Sequence, residues 1–426
     1  NPQTRAAQVR RRCYRPVLHG PDTMSPPAQS QERYGSLDAL RGIAATVVVF
    51  HHSLMTLPAW SDVVLHGAHR STLTVILGIP PLNVLWAGDA AVKVFFALSG
   101  FVLALMFLRP NPPSYAAFAA KRVCRIYLPY IAVVAIAMLI MTVIAPHPRP
   151  ELSEWFNSSW NRRVTWSLIL DHALMLGQQQ YNFVDNPIWS LVHEMRYSLL
   201  FPMIMWAVVR TGWRVLIASS LMVSLGAMGL LTRITDHSAV ASLQYAFLFV
   251  TGATLAKYRA ETAAWFQTMP PALRTAIGMT SLLLLGTHGL VHSRIQIVRV
   301  LASVAPHIGA VLLLIGVIGS NRVQAALETK PCLWAGRVSY SLYLSHLVLL
   351  LTLVSLLHQF VPVYLILIAL PPLALALAGV LYWLLEQPAM SLGRRLERMV
   401  DANSDFLCAR TQPQDKMAAA STSLAR

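Results

Sequence analysis

The chain has 426 residues, 55% of them hydrophobic and only 12% charged, with a formal net charge of +16. A soluble domain carries about 25% charged residues, so this balance excludes an ordinary soluble protein and points to an integral membrane protein. The Lys and Arg residues sit mainly in short hydrophilic loops and in the tails, the signature of membrane orientation, which argues against nucleic acid as a partner.

Residues 1–33 form a polar, arginine-rich tail without an apolar h-region, so they do not read as a signal peptide. Met24 marks an alternative start inside this tail, and nothing in it carries chemistry. The first apolar span, 37–57, opens LDALRGIAATVVVFHH. A polar segment with Pro58, Asp62, His66, His69 and Arg70 leads to Pro80-Pro81 and a second span over 84–108, where Asp89 and Lys93 are i,i+4 neighbours able to neutralise one another. A basic loop, 109–125, precedes the third span, 126–145. The long connection 146–187 is rich in Trp and holds WSLILDHALML, too short to cross alone and read as interfacial or re-entrant. Further apolar spans cover 188–209, 215–231, 241–257, 272–288, 303–319, 338–357 and 364–385. The expected fold is therefore an all-α polytopic membrane protein with about ten transmembrane helices. The membrane domain is expected over 34–398, followed by a polar, disordered tail over 399–426.

An even number of spans places both termini on one side. Arg109/Lys121/Arg122/Arg125, Arg210/Arg214, Lys257/Arg259, Arg322/Lys330/Arg337 and Arg394/Arg395/Arg398 all fall on that side, which the positive-inside rule makes the cytoplasm. Arg149, Arg162, Arg163, Arg294 and Arg299 fall outside, a minority that does not overturn the assignment. The cysteines, Cys13, Cys124, Cys332 and Cys408, have no paired spacing and lie on the cytoplasmic side, so neither a disulfide nor a metal site is expected.

Ionisable groups inside the apolar spans are costly and mark functional sites by default. Arg41 and His52 are eleven residues apart, which at about 100° per residue puts them on one helix face, roughly 16 Å apart along it. Each alone has a bland reading, a topology anchor and a buried histidine. Together, with Asp38 one turn before Arg41, they suit a general base at mid-membrane reached along a common face. His51 points about 80° away and is the weaker candidate. Arg122 and Arg125, three apart, could fork a phosphate, although a topology signal is the commoner meaning of such a cluster. Glu194 lies about 1.5 turns inside the outer end of its span, a little deep for a carboxylate placed only to oppose the helix dipole. Ser99 and Gly100 read as packing residues, since no G-x-S-x-G elbow accompanies them. Ser339, Tyr343 and His346 form a polar stripe that should line a cavity, with His346 about 12 Å from the inner end. Glu386, near the cytoplasm, reads as the partner of a basic residue.

These stretches together resemble the acyltransferase 3 family of bacterial membrane acyltransferases, over about residues 34 to 398. The resemblance rests on LDALRG with Arg41 and His52, FFALSGF at 95–101, Arg122-x-x-Arg125-I-Y-L-P, WSLVHE ending at Glu194, LLFP ending at Pro202, GRVSYSLYLSH ending at His346, and Glu386-Gln387-Pro388. It implies a multi-pass plasma-membrane enzyme of the bacterial inner membrane. A cytoplasmic acyl-CoA, usually acetyl-CoA, would donate an acyl group to a hydroxyl of a carbohydrate or other acceptor at the far face, with no metal. It also implies that His52 and Arg41 are essential and that Arg122 and Arg125 help hold the donor, with Ser339, Tyr343 and His346 expected beside it. The CoA would stay at the basic mouth and thread its pantetheine arm inward. The acceptor would enter from outside past Glu194. Direct transfer with His52 as general base is the preferred chemistry, and an acyl-histidine intermediate the alternative. Ser198 stands where many members of the family carry Tyr. No SGNH-type esterase domain follows the last span, so a second-step enzyme would be a separate protein. A proton-coupled transporter or flippase is the reading from another class, weakened by the lack of a repeat between the two halves.

Overall fold

A computed structural model describes residues 34–410, except 70, 146, 176–180, 232–237 and 288–294. Among the described residues all regular structure is helical. The helices, in chain order, are α1 (Gly35–Met55), α2 (Pro58–His66), α3 (Thr72–Gly78), α4 (Gly88–Phe107), α5 (Tyr115–Ile144), α6 (Glu154–Ser158), α7 (Trp166–Leu174), α8 (Tyr181–Val184), α9 (Ile188–Arg210) and α10 (Trp213–Leu231). They continue as α11 (Ser238–Leu243), α12 (Ala246–Lys257), α13 (Arg259–Thr268), α14 (Pro271–Leu285), α15 (Gln296–Gly319), α16 (Asn321–Leu327), α17 (Lys330–Leu357), α18 (Val363–Leu381) and α19 (Gln387–Arg410). Among the described residues, seven helices are long and apolar enough to cross a membrane, or eight if α1 and α2, bent by 108°, count as one broken span. All ten apolar stretches of the sequence fall on helices. The difference lies in α9, which carries His193, Glu194 and Arg196 in its interior, in α14, which has only 15 residues, and in the break after α1.

Two element boundaries differ from the hydropathy reading for identifiable reasons. Helix α5 starts at Tyr115, not 126, because Ser114 caps it by accepting from the Ala117 N–H at 3.2 Å and the Ala-rich first turns favour helix. Its second and third turns therefore carry the basic cluster on helical spacing. At the other end, a π-helical turn, Tyr382–Glu386, follows α18 and leads into α19, which continues beyond 398 to Arg410. Lys121 pairs with Glu397 at 2.8 Å and the Ser114 N–H donates to Asp401 at 3.3 Å, tying α19 to the start of α5. The tails 1–33 and 411–426 lie outside the described residues.

Two close crossings set the frame. A Cβ at Gly42 of α1 would overlap the backbone of Gly336 of α17, and a Cβ at Gly336 would overlap Asp38 and Ala39. Gly100 of α4 and Gly252 of α12 meet in the same way, so Gly100 serves packing there. Ten residues beyond the first crossing on both helices, His52 meets His346, so α1 and α17 run parallel. Asp89 and Lys93 pair at the start of α4, as their spacing predicts.

Within the long connection, the end of α7 packs against the middle of α5. Tyr127 and Tyr130, about halfway along α5, donate to the Ala173 and His172 carbonyls at the end of α7 at 2.7 and 2.8 Å. The start of α9 is sunk, because Ser190 meets Tyr343, which lies near the middle of α17.

Candidate functional site

The helices place their polar residues in two tiers. The lower tier gathers Arg41 from α1, Ser99 from α4, Arg122 and Arg125 from α5, Glu194 and Ser198 from α9, and Glu386 from the π-helical turn. Arg122 is buried and makes three hydrogen bonds. Its Nη2 donates to Glu194 Oε1 at 2.9 Å and to Ser198 Oγ at 3.0 Å, and its Nε donates to Ser198 Oγ at 3.2 Å. Ser99 Oγ also donates to Glu194 Oε1, at 3.3 Å. Glu194 and Ser198 are one turn apart on α9, so a single helix face supplies both acceptors. Glu386 is buried and accepts from Ser341 Oγ at 2.7 Å. Among the described residues Arg41 pairs with Asp38 alone, at 3.5 Å. Half-buried Arg125 makes no hydrogen bond or ion pair among the described residues.

The upper tier is made of imidazoles. His52 Nδ1 and His346 Nε2 lie 2.8 Å apart, and His346 Nδ1 donates to the Leu342 carbonyl at 3.0 Å. Both residues are buried, His346 completely. The Trp155 ring of α6 lies parallel to that of His52, within 5°, at 5.2 Å between centroids. No hydrogen bond engages His52 Nε2 among the described residues. His51 turns away: its Nδ1 donates to the Trp86 carbonyl at 2.9 Å. Between the tiers, Tyr343 Oη lies 2.7 Å from Ser190 Oγ and 3.1 Å from the Pro187 carbonyl, to which it can only donate.

The structure therefore brings His52 and His346 into contact and gathers Arg41, Arg122, Arg125 and Glu194 below them, but it regroups several expected partners. Glu194, expected beside the path of the acceptor, is engaged by Arg122 in an ion pair at 2.9 Å. The sunken start of α9 lowers it to the level of Arg122, its ion-pair partner. Arg122 does not fork freely with Arg125, since its guanidinium is held by Glu194 and Ser198. Ser339 turns back onto its own helix, donating to the Gly336 carbonyl at 2.8 Å, and Tyr343 fastens the start of α9. Glu386 takes a serine rather than a basic residue as its hydrogen-bond partner. Trp155, Ser341 and Ser190 were not singled out by the sequence reading; Ser198 was noted there only as a departure from the family, although its i,i+4 spacing from Glu194 carried a signal. Asp185, in the turn before α9, was not singled out either. Asp185 is 1% exposed and neither carboxylate oxygen has a hydrogen-bond partner among the described residues. No group of three or more His, Cys, Asp or Glu residues arranged to hold a metal occurs among the described residues.

Comparison with known proteins adds an independent observation. The acyltransferase 3 family, described as "Acyltransferase domain", matches residues 34–383. A curated protein, acyltransferase MdmB of Streptomyces mycarofaciens, is 29% identical over 127 residues, which cover 30% of this chain and 31% of that protein. The chain thus spans about a third of the length of that relative. No solved structure matches.

Proposed function

Because the chain belongs to the acyltransferase 3 family of membrane acyltransferases, we propose that it moves an acyl group, typically acetyl, from cytoplasmic acyl-CoA to a hydroxyl of a carbohydrate or other acceptor at the extracytoplasmic face of a bacterial inner membrane. The topology that goes with this reading has ten crossings and both termini in the cytoplasm. The parallel run of α1 and α17, the first and ninth crossings of that count, supports it.

One observation carries the proposal: an imidazole with an open Nε2, His52, stands above a tier of arginines at the end of a shared polar column. Arg41 and Arg125, the two guanidiniums not held by Glu194, are the groups to receive the phosphates of CoA, and Arg122 shapes that pocket through its ion pair. With the thioester raised to the upper tier, His52 Nε2 takes the proton of the acceptor hydroxyl as its oxygen attacks the thioester carbon. The C–S bond then breaks, and the thiolate leaves with the proton held by the imidazolium, giving the ester and free CoA. In the acyl-histidine alternative His52 itself attacks the thioester, and withholding the acceptor would accumulate acyl-enzyme.

The test is transfer of labelled acetyl from acetyl-CoA to a membrane glycan fraction by the full-length protein in detergent. A transporter needs two compartments and an enzyme does not, so turnover in detergent supports the transferase. Folded protein that releases no CoA from acetyl-CoA or longer acyl-CoAs, with glycan or simple alcohol acceptors, overturns it.

A further inference from the structure

We infer that His346 is a positioning residue that locks His52 in the Nδ1-protonated tautomer and so makes Nε2 the basic atom. This rests on the general-base reading of His52 given above. The order of hydrogen bonds leaves little freedom. The Leu342 carbonyl can only accept, so His346 Nδ1 carries a hydrogen. A neutral imidazole has a single N–H, which leaves His346 Nε2 a bare acceptor. His52 Nδ1, 2.8 Å from it, is then the donor, and the lone pair of His52 falls on Nε2. The ring planes are 13° apart with centroids at 5.1 Å, so the imidazoles lie edge to edge and the N–H points along the partner's lone pair.

A doubly protonated His346 would invert the assignment. It would also put a cation at a completely buried site where, among the described residues, the titratable neighbours are His51, His52 and Tyr343 and no carboxylate pairs with it. The backbone anchor is a recurring device in this chain. His172 and His307 also turn Nδ1 onto the carbonyl one turn earlier, Leu168 at 2.9 Å and Ser303 at 2.8 Å, and their Nε2 atoms are unpartnered among the described residues. His346 differs in having a second imidazole at its Nε2. When His52 Nε2 takes the acceptor's proton, its Nδ1–H stays on His346 Nε2, which shares the new positive charge without receiving a proton. The proton leaves again from Nε2 to the thiolate, and His346 returns unchanged. Because Leu342 and His346 are on one helix, the tautomer is set before any substrate arrives.

Nitrogen-15 NMR of histidine-labelled full-length protein in detergent, with the His52 signals identified by their loss in His52→Gln, reads the tautomer directly. The expected result is a protonated, pyrrole-type Nδ1 and a bare, pyridine-type Nε2 on His52; the reverse pattern overturns the inference. Kinetics supply the second arm. His346→Gln offers an amide oxygen to the His52 Nδ1–H and should keep kcat within about tenfold of wild type. His346→Lys can only donate, forces the opposite tautomer, and should lose about 10²–10⁴-fold, the whole contribution of a general base. His346→Leu, which offers nothing, should fall between them, and KM for acetyl-CoA should stay unchanged throughout. If folded His346→Gln is no better than His346→Lys, the inference fails. Full activity in folded His52→Ala would instead remove the general-base reading on which it stands.

Discussion

Arg122 and His52 occupy the same polar column, yet their surroundings differ in kind. Arg122 is closed: three hydrogen bonds bind its guanidinium to Glu194 and Ser198, and Ser99 braces the carboxylate from a third helix. His52 is half closed: one ring nitrogen is fixed by His346 and the other is left open beside Trp155. A buried charge left unmatched destabilises the fold, so the buried Arg122 is matched before any substrate binds. A neutral imidazole bears an open nitrogen at much smaller cost, and only an open nitrogen can accept a proton. The difference assigns stability and donor affinity to the lower tier and turnover to the upper one.

The sharpest way to break that division is His52→Ala. Fold and acyl-CoA binding should survive, because the His52 side chain makes a single hydrogen bond among the described residues, while kcat should fall by at least about 10²–10⁴-fold. Thermal unfolding, donor-binding titration and turnover measured on one preparation would decide it. A matching loss of stability would place His52 with the closed groups instead.

Glu194→Ala is the converse. Removing one partner of a fully buried ion pair costs about 3–5 kcal/mol; with the Glu194 side chain 23% exposed the cost is smaller, but Arg122 would still be left charged and half-matched. The expected outcome is a marked drop in unfolding temperature in detergent, with Glu194→Gln milder because its amide oxygen still accepts. An unchanged unfolding temperature in Glu194→Ala would mean that the lower tier is solvated and that its closure contributes no stability.

How far these tiers could be read from the sequence depends on whether one helix or several build them. Arg41 and His52 were legible because both lie on α1, where a period of 3.6 residues suffices. The stripe Ser339, Tyr343, His346 was legible for the same reason, and so was the matching depth of His346 and His52. Their hydrogen bond was not, since no local pattern says that residues 52 and 346 face each other. The pairing of Glu194 with Arg122 was not legible because a hydropathy count starts every span at a membrane surface, whereas α9 starts next to the middle of α17. The start of α5 was missed because alanine and arginine are good helix formers that hydropathy reads as loop. Trp155 sits in a five-residue helix of the long connection, where no periodicity could have singled it out.

Within the lower tier the comparison can be refined, because Arg125 lacks the partners that close Arg122. Arg125→Ala should therefore leave stability nearly untouched and raise the dissociation constant for acyl-CoA. A charged hydrogen bond is worth about 1.5–3 kcal/mol, so one lost phosphate contact should weaken binding roughly 10- to 150-fold. Arg122→Ala should instead unfold at lower temperature, since it strands Glu194. Equal effects of the two variants on donor affinity, with equal stability, would dissolve the distinction between a held and a free arginine.

The smallest expected effect falls on the neighbour of His52. His51 shares its residue type, its helix and nearly its depth, but its Nδ1 is committed to the Trp86 carbonyl at 2.9 Å. A Cβ on Gly88 would overlap the His51 side chain, so the glycine at the start of α4 is what lets the ring fit there. His51→Ala removes one neutral hydrogen bond, worth about 1 kcal/mol, and should lower the unfolding temperature slightly. Turnover should stay within a few fold of wild type, because the open nitrogen of His52 does not depend on His51. Should His51→Ala lose activity as deeply as His52→Ala while remaining folded, orientation on α1 would not separate the two histidines, and the upper tier would have to be redrawn with both rings in it.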